Sequence, residues 1–222
     1  RQQQGGDGVW LDLPTTTERV QAALRQIGIS SDNPQGLFIS GYFAEEEKRF
    51  AIPYNMVLAS NVDELNFLAS RLETLSTGER AELNAALQVP QSELFSIGRI
   101  TDFPENVDYY VHLPDVRGPA QLGDYYLNRS GMVDMPEEWK GGIDTAQFGR
   151  YVAQQEQGVF TEYGYLVKSG DEWQKVHEGQ SVPEEYRVMA YPAPEILRDE
   201  APARTVQPEA APTAEAAAPP PV

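Results

Sequence analysis
The feature that most constrains this chain is a surplus of carboxylates with little positive charge to offset it and no chemistry around it. Between Asp102 and Asp144 stand nine acidic residues, Asp102, Glu105, Asp108, Asp115, Asp124, Asp134, Glu137, Glu138 and Asp144, opposed only by Arg117, Arg129 and Lys140. The heart of this region, Gly118 to Tyr151, reads as a helix closed by Gly131, a short acidic link, and a second helix opening at Asp144. Like charge at this density opposes compaction and repels nucleic acid and membranes, while it attracts basic surfaces.

The surplus is not confined to a tail. The net charge is −17, and residues 194–222 contribute −3 of it, so the remaining residues carry −14. Hydrophobic residues still make up 41% of the chain, enough for packed cores. With no cysteine there are neither disulfides nor thiolate chemistry, and nothing argues for an oxidising compartment. No apolar run approaches the ~18 residues a membrane helix needs. The start, Arg1 to Gly6, lacks the apolar stretch of a signal peptide. A soluble, cytoplasmic protein is the expectation.

In chain order, Gly8 to Leu13 alternates like a strand and Pro14 ends it. Thr15 to Glu18 reads as a capping box before a helix carrying Val20, Ala23, Leu24 and Ile27, which Gly28 closes. Gly36–Phe43 and Arg49–Ile52 read as two more strands around a polar tip, Glu45 to Lys48. Ser60 or Asn61 opens a second helix, with Glu64 placed for the reciprocal cap and Leu65, Leu68, Leu72 and Leu75 as its stripe. Ser76 and Glu79 form a further capping box, for a helix reaching about Gln88 that buries Ala81, Leu83, Ala86 and Leu87. Another turn or two falls within Ser92–Ile100.

Beyond Asp102, the apolar anchors are Tyr109, Tyr110, Val111 and Leu113. The spacing then predicts a helix from Pro119 to Asn128 facing inward through Leu122, Tyr125 and Tyr126. A second helix, capped by Asp144, turns Phe148 and Val152 inward. Gly158–Val167 and Tyr186–Tyr191 read as strands, with Asp171–Val176 pairing between them. From Pro192 onward Pro and Ala dominate, as in a disordered tail or linker. The fold class expected is α+β, in small subdomains set in series. Residues 7–58 form a three-stranded α+β piece, 59–100 a helical piece, 101–192 an acidic α+β piece, and 193–222 the tail.

Catalytic patterns are missing. His112 and His177 are far apart, and neither has metal-type spacing to another ligand, so each reads as a surface or half-buried histidine. There is no phosphate-binding Gly-Lys-Ser/Thr loop, nucleophile elbow or dinucleotide fingerprint. Glu137 and Glu138 are adjacent and so point in different directions. The 11 tyrosines sit among acids, whereas base-stacking grooves need cations beside the rings. No enzyme, cofactor, metal, nucleic-acid ligand or membrane is expected.

Three stretches resemble the ArdA antirestriction family of conjugative transposons, plasmids and other mobile genetic elements. Gly8-Val9-Trp10-Leu11-Asp12-Leu13-Pro14 is similar to the family's opening segment, and Val62-Asp63-Glu64-Leu65-Asn66-Phe67-Leu68 to its "E-L-N" helix. Leu122-Gly123-Asp124-Tyr125-Tyr126 with Ile143-Asp144-Thr145-Ala146-Gln147-Phe148-Gly149-Arg150 is similar to its tyrosine-pair and "GR" region. Asn128, Arg129 and Tyr151 stand where the family carries acids.

The resemblance implies an elongated, three-part dimer that imitates bent B-form DNA and occupies the DNA groove of type I restriction–modification enzymes. On that reading the nine acids from Asp102 to Asp144 form the partner-binding stripe. The alternative is an acidic protein-interaction module of a mobile element that keeps the fold without antirestriction activity.

Overall fold
Helix starts show how local chemistry sets the architecture. In the computed structural model, which describes residues 8–29, 37–44 and 49–189, α3 (Val62–Glu73) and α4 (Thr77–Gln88) each open on a complete capping box. Asn61 and Glu64 make the first, Ser76 and Glu79 the second. Each box gives two otherwise free amides a partner, so the helices begin where the pattern says they should. Asp144 likewise caps α8 (Thr145–Glu156), its Oδ1 accepting from the amides of Ala146 at 2.9 Å and Gln147 at 3.0 Å.

The helix α1 (Thr17–Gln26) departs from expectation at its start. Its N-cap is Thr16, so Glu18 sits in the second helical position and no capping box forms. Gly28 and Gly131 do take the left-handed backbone that ends a helix, with φ of +74° and +70°.

The three N-terminal strands are not formed among the described residues. Strand-like alternation needs a neighbouring chain for its backbone groups, and in the second and third of these segments side chains take some of them. Tyr42 donates its hydroxyl to Ile52 O and Tyr54 donates to Ser40 O, each at 2.8 Å. Asn84 accepts the amide of Ala51 at 2.7 Å and donates to Arg49 O at 3.2 Å. After Pro53 the chain turns into a short helix, α2 (Tyr54–Ala59), which the sequence pattern does not signal. The polar tip 45–48 and the Pro/Ala segment from 192 lie outside the described residues.

The sheet belongs to the C-terminal half and has three antiparallel strands in the order β1 (Tyr110–Leu113), β3 (Gly164–Lys168), β2 (Val159–Thr161). Tyr110 faces Lys168 and Leu113 faces Tyr165, while Phe160 faces Tyr165 from the other side. The run expected as one strand from 158 to 167 is therefore a hairpin turning at Glu162–Tyr163. Its β1 partner comes from the residues read only as apolar anchors. Of those anchors, Tyr109 and Tyr110 are buried and Val111 is exposed.

Asp171–Val176 and Tyr186–Met189 are irregular rather than strands, because side chains again hold their backbone. Asn106 accepts the Gln174 amide at 2.7 Å and donates to Gln174 O at 3.0 Å. Asp63 accepts the amides of Val188 at 2.7 Å and Met189 at 2.8 Å.

The largest apolar cluster gathers Ile52 and Val57, the stripe Leu65, Leu68, Leu72 and Leu75, then Leu83, Ile100, Phe103, Tyr110 and Leu166. It thus draws side chains from all three expected subdomains. On α4 the buried face is Leu83, Ala85 and Ala86, with Ala81 and Leu87 only half-buried. The next helix is α5 (Ile97–Thr101), capped by Ser96. Val20, Leu24 and Val188 form a small separate cluster.

A third cluster, Val116, Leu122, Ala153 and Tyr165, lies under α6 (Pro119–Asp124) and α8. These two helices meet through glycines. A Cβ at Gly123 would stand 1.9 Å from Thr145 O, and one at Gly149 1.8 Å from Pro119 O. Only bare backbone fits there; Val152 packs against the same cluster, and Phe148 is half-buried. From Tyr125 to Arg129 the helix widens into a π-turn, with Tyr125 and Tyr126 packed on this cluster.

Candidate functional site: the carboxylates from 102 to 144
The nine acids do not share one environment. Asp102, at the end of α5, has no solvent exposure at all. Its carboxylate accepts three successive backbone amides, Val176 at 3.3 Å, His177 at 2.6 Å and Glu178 at 3.2 Å. A buried carboxylate is tolerable only when its lone pairs are filled, and these amides fill them. Asp102 is therefore spent inside the fold and presents no charge to a partner.

The other eight reach the surface to differing degrees. Glu105 pairs with Arg71. Asp124 is half-buried, 3.1 Å from Arg129, and also accepts a hydrogen bond from Asn128 at 2.8 Å. Glu137, on the short helix α7 (Glu137–Lys140), lies 2.9 Å from Lys140. Asp144 is exposed, although one of its oxygens caps α8. Asp108, Asp115, Asp134 and Glu138 are exposed with no ion pair among the described residues.

Further exposed carboxylates lie outside this stretch: Asp12, Glu18, Glu73, Glu162, Asp171, Glu172, Glu184 and Glu185. A count restricted to 102–144 misses them. The signal for them was the −14 distributed over the chain outside its last residues.

Burial sets the protonation of two further acids apart. Glu82 on α4 is pushed up to about 8, first by burial and then by the charges of Glu79 and Asp108. One of its oxygens is buried with no hydrogen-bond partner. Glu93 goes the other way. Burial opposes its charge, yet Lys168, Tyr109 and Arg99 together hold it below the usual carboxylate range.

The rings of the two histidines have partners other than these acids. His112 shares a hydrogen bond with Tyr163 O at 2.9 Å, and His177 sets its ring edge-on to Phe67 at 4.9 Å, both half-buried. Among the described residues no group of three or more His, Asp or Glu side chains could hold a metal ion. An open cleft of about 500 Å³ lies between α2, α3, α5 and residues 177–182. Its carboxylates are already committed, Glu64 to the α3 cap and Glu178 to Arg99 at 2.8 Å. No helix among the described residues is long and apolar enough to cross a membrane.

A family model described as "Antirestriction protein (ArdA)" matches residues 6–167, well over half of the chain. No curated protein matches it.

Proposed function
The chain belongs to the ArdA antirestriction family, an inhibitor family rather than an enzyme family, and on that premise we propose that it blocks a type I restriction–modification enzyme by competing for its DNA groove. The observation that carries this reading is the family match over residues 6–167. What supports the mechanism is the set of exposed carboxylates at Asp108, Asp115, Asp134 and Glu138, which have no ion pair among the described residues.

B-form DNA presents about one negative charge per 1.7 Å of axis, and proteins that grip it rely on Lys and Arg contacts to phosphate. Surface carboxylates offer such a groove a comparable field without base edges to read. No bond is broken and no cofactor is required, so inhibition is occupancy alone. The competent form is a homodimer, in which two chains of −17 each bring a charge comparable to that of a short duplex. The acids that act are the exposed members of the stripe, with Glu105, Asp124, Glu137 and Asp144 partly screened by their partners.

The test is displacement of labelled duplex from the methyltransferase core of a type I enzyme, titrated at two salt concentrations. Displacement near stoichiometric ratio that weakens steeply with salt is expected, because counterion release governs such contacts. No displacement by a large excess of folded protein would sink the reading and leave the interaction module in its place. Changing Asp108, Asp115 and Asp134 together to Lys is expected to abolish displacement while leaving the fold intact.

A further inference from the structure
Residues 169–189 have no sheet partner, and Val188 is the one fully buried residue among them. A row of side chains reaches from the body to its backbone: Asp102 to residues 176–178, Asn106 to Gln174, Asn66 to Tyr186 O at 3.0 Å, and Asp63 to Val188 and Met189. Beside them, Trp173 packs on the main core, Phe67 on His177 and Tyr186, and Arg99 pairs with Glu178. The family match ends at residue 167. All four holding side chains therefore lie inside the matched region, and the segment they hold lies outside it.

Two of those anchors also concern the N-terminal part. The Asn66 carboxamide that donates to Tyr186 O accepts the Thr15 amide at 2.6 Å. Val188 completes the cluster of Val20 and Leu24 from α1, whose other members, Leu37 and Val62 among them, are only partly buried. The segment is thus the joint between α1 and the helical body. Stretches with few buried apolar groups open at lower free energy than the core they cover.

We propose that residues 171–189 are a latch that opens as one unit, hinged at the exposed Ser169–Gly170, and that its opening frees α1 while α3, α4 and the sheet stay folded. Gly170, at φ +99°, already holds a backbone shape that other residues rarely adopt. Opening returns the carboxylates of Asp63 and Asp102 to solvent, so the latch also sets how much negative charge this face presents.

Hydrogen exchange followed by mass spectrometry on the full chain tests it. In the unmutated protein the amides of 17–26 and 186–189 are expected to share one opening free energy and one denaturant slope, both below those of α4 and β3. Asp63→Ala removes the acceptor of two latch amides and is expected to speed exchange at both ends together, roughly tenfold, from the loss of charge-assisted bonds. Asp63→Asn keeps an acceptor oxygen and is expected to fall between. Acceleration confined to 188–189 with α1 unchanged would overturn the joint. Equal acceleration in α4 and β3 would overturn the latch as a separate unit.

Discussion
Asp102 and Asp115 are the same residue type in the same acidic stretch, and they do opposite work. Asp102 has no exposure and spends its carboxylate on three backbone amides of the segment 176–178. Asp115 stands in water with no ion pair among the described residues. Asp63 and Asp102 hold the chain together where it lacks sheet partners, while Asp108, Asp115, Asp134 and Glu138 make no ion pair among the described residues. Part of the acid surplus is therefore structural adhesive. The part with no structural use is what a functional account has to explain.

The strongest test of that division is Asp102→Ala. It removes the acceptor of three half-buried amides at once, and leaving one buried donor unpaired costs about 1–3 kcal/mol. A loss of about 4 kcal/mol in unfolding free energy is expected, read from the denaturant midpoint at constant slope. Were the variant to unfold within about 0.5 kcal/mol of the parent, the contrast between inner and outer acids would collapse.

Next in size is the platform beneath two partly screened acids, Asp124 and Asp144. Gly149→Ala would drive a Cβ into Pro119 O, 1.8 Å away, and force α8 off α6. Overpacking of this kind costs typically 1–3 kcal/mol, and a loss toward the upper end is expected because backbone cannot yield as a side chain can. Asp124 and Asp144 ride on these two helices, so duplex displacement is expected to weaken along with the thermal midpoint. Weakening of one without the other would separate the surface from its support.

Glu82 sits between the two classes, partly buried yet clamping nothing. Burial first, then Glu79 and Asp108, push it from its ordinary 4.5 to about 8. A carboxyl whose folded pKa is raised contributes stability that is complete below about 4.5 and drains away as pH rises toward 8. Denaturant midpoints measured from pH 5 to 8 are expected to fall in the parent and to stay flatter in Glu82→Gln. An unchanged slope in the variant would move the effect to other groups.

How much of this could be read from the chain divides along the same physical line. The caps at Asn61, Ser76 and Asp144 were legible because each is settled within three or four residues. The leucine stripe from Leu65 to Leu75 was legible because period alone decides which face is buried. The burial of Asp102 was not, since it depends on amides some 75 residues away. The strands expected at 36–43, 49–52, 171–176 and 186–191 failed for one reason where the structure describes them. Alternation and β-propensity show that a segment suits extension, but not whether its partner is a strand or a side chain. Here Asn84, Asn106, Asp63 and two tyrosine hydroxyls take that place. The −14 outside the tail pointed correctly to a charged surface, but a window of sequence could not separate Asp102 from Asp115.

The smallest effect is the most telling about the outer class. Asp115→Asn preserves size and shape and removes one charge that no neighbour uses, so its change in stability is expected to stay within about 0.5 kcal/mol. In the displacement assay the same change is expected to lower the slope of log affinity against log salt by at most about one, since one contact to a cation is lost. A stability loss as large as that of Asp102→Ala would mean that Asp115 has a structural partner after all. An unchanged salt slope in Asp115→Asn, with a reduced slope in Asp134→Asn, would instead shift the contact surface toward the α7 side of the molecule.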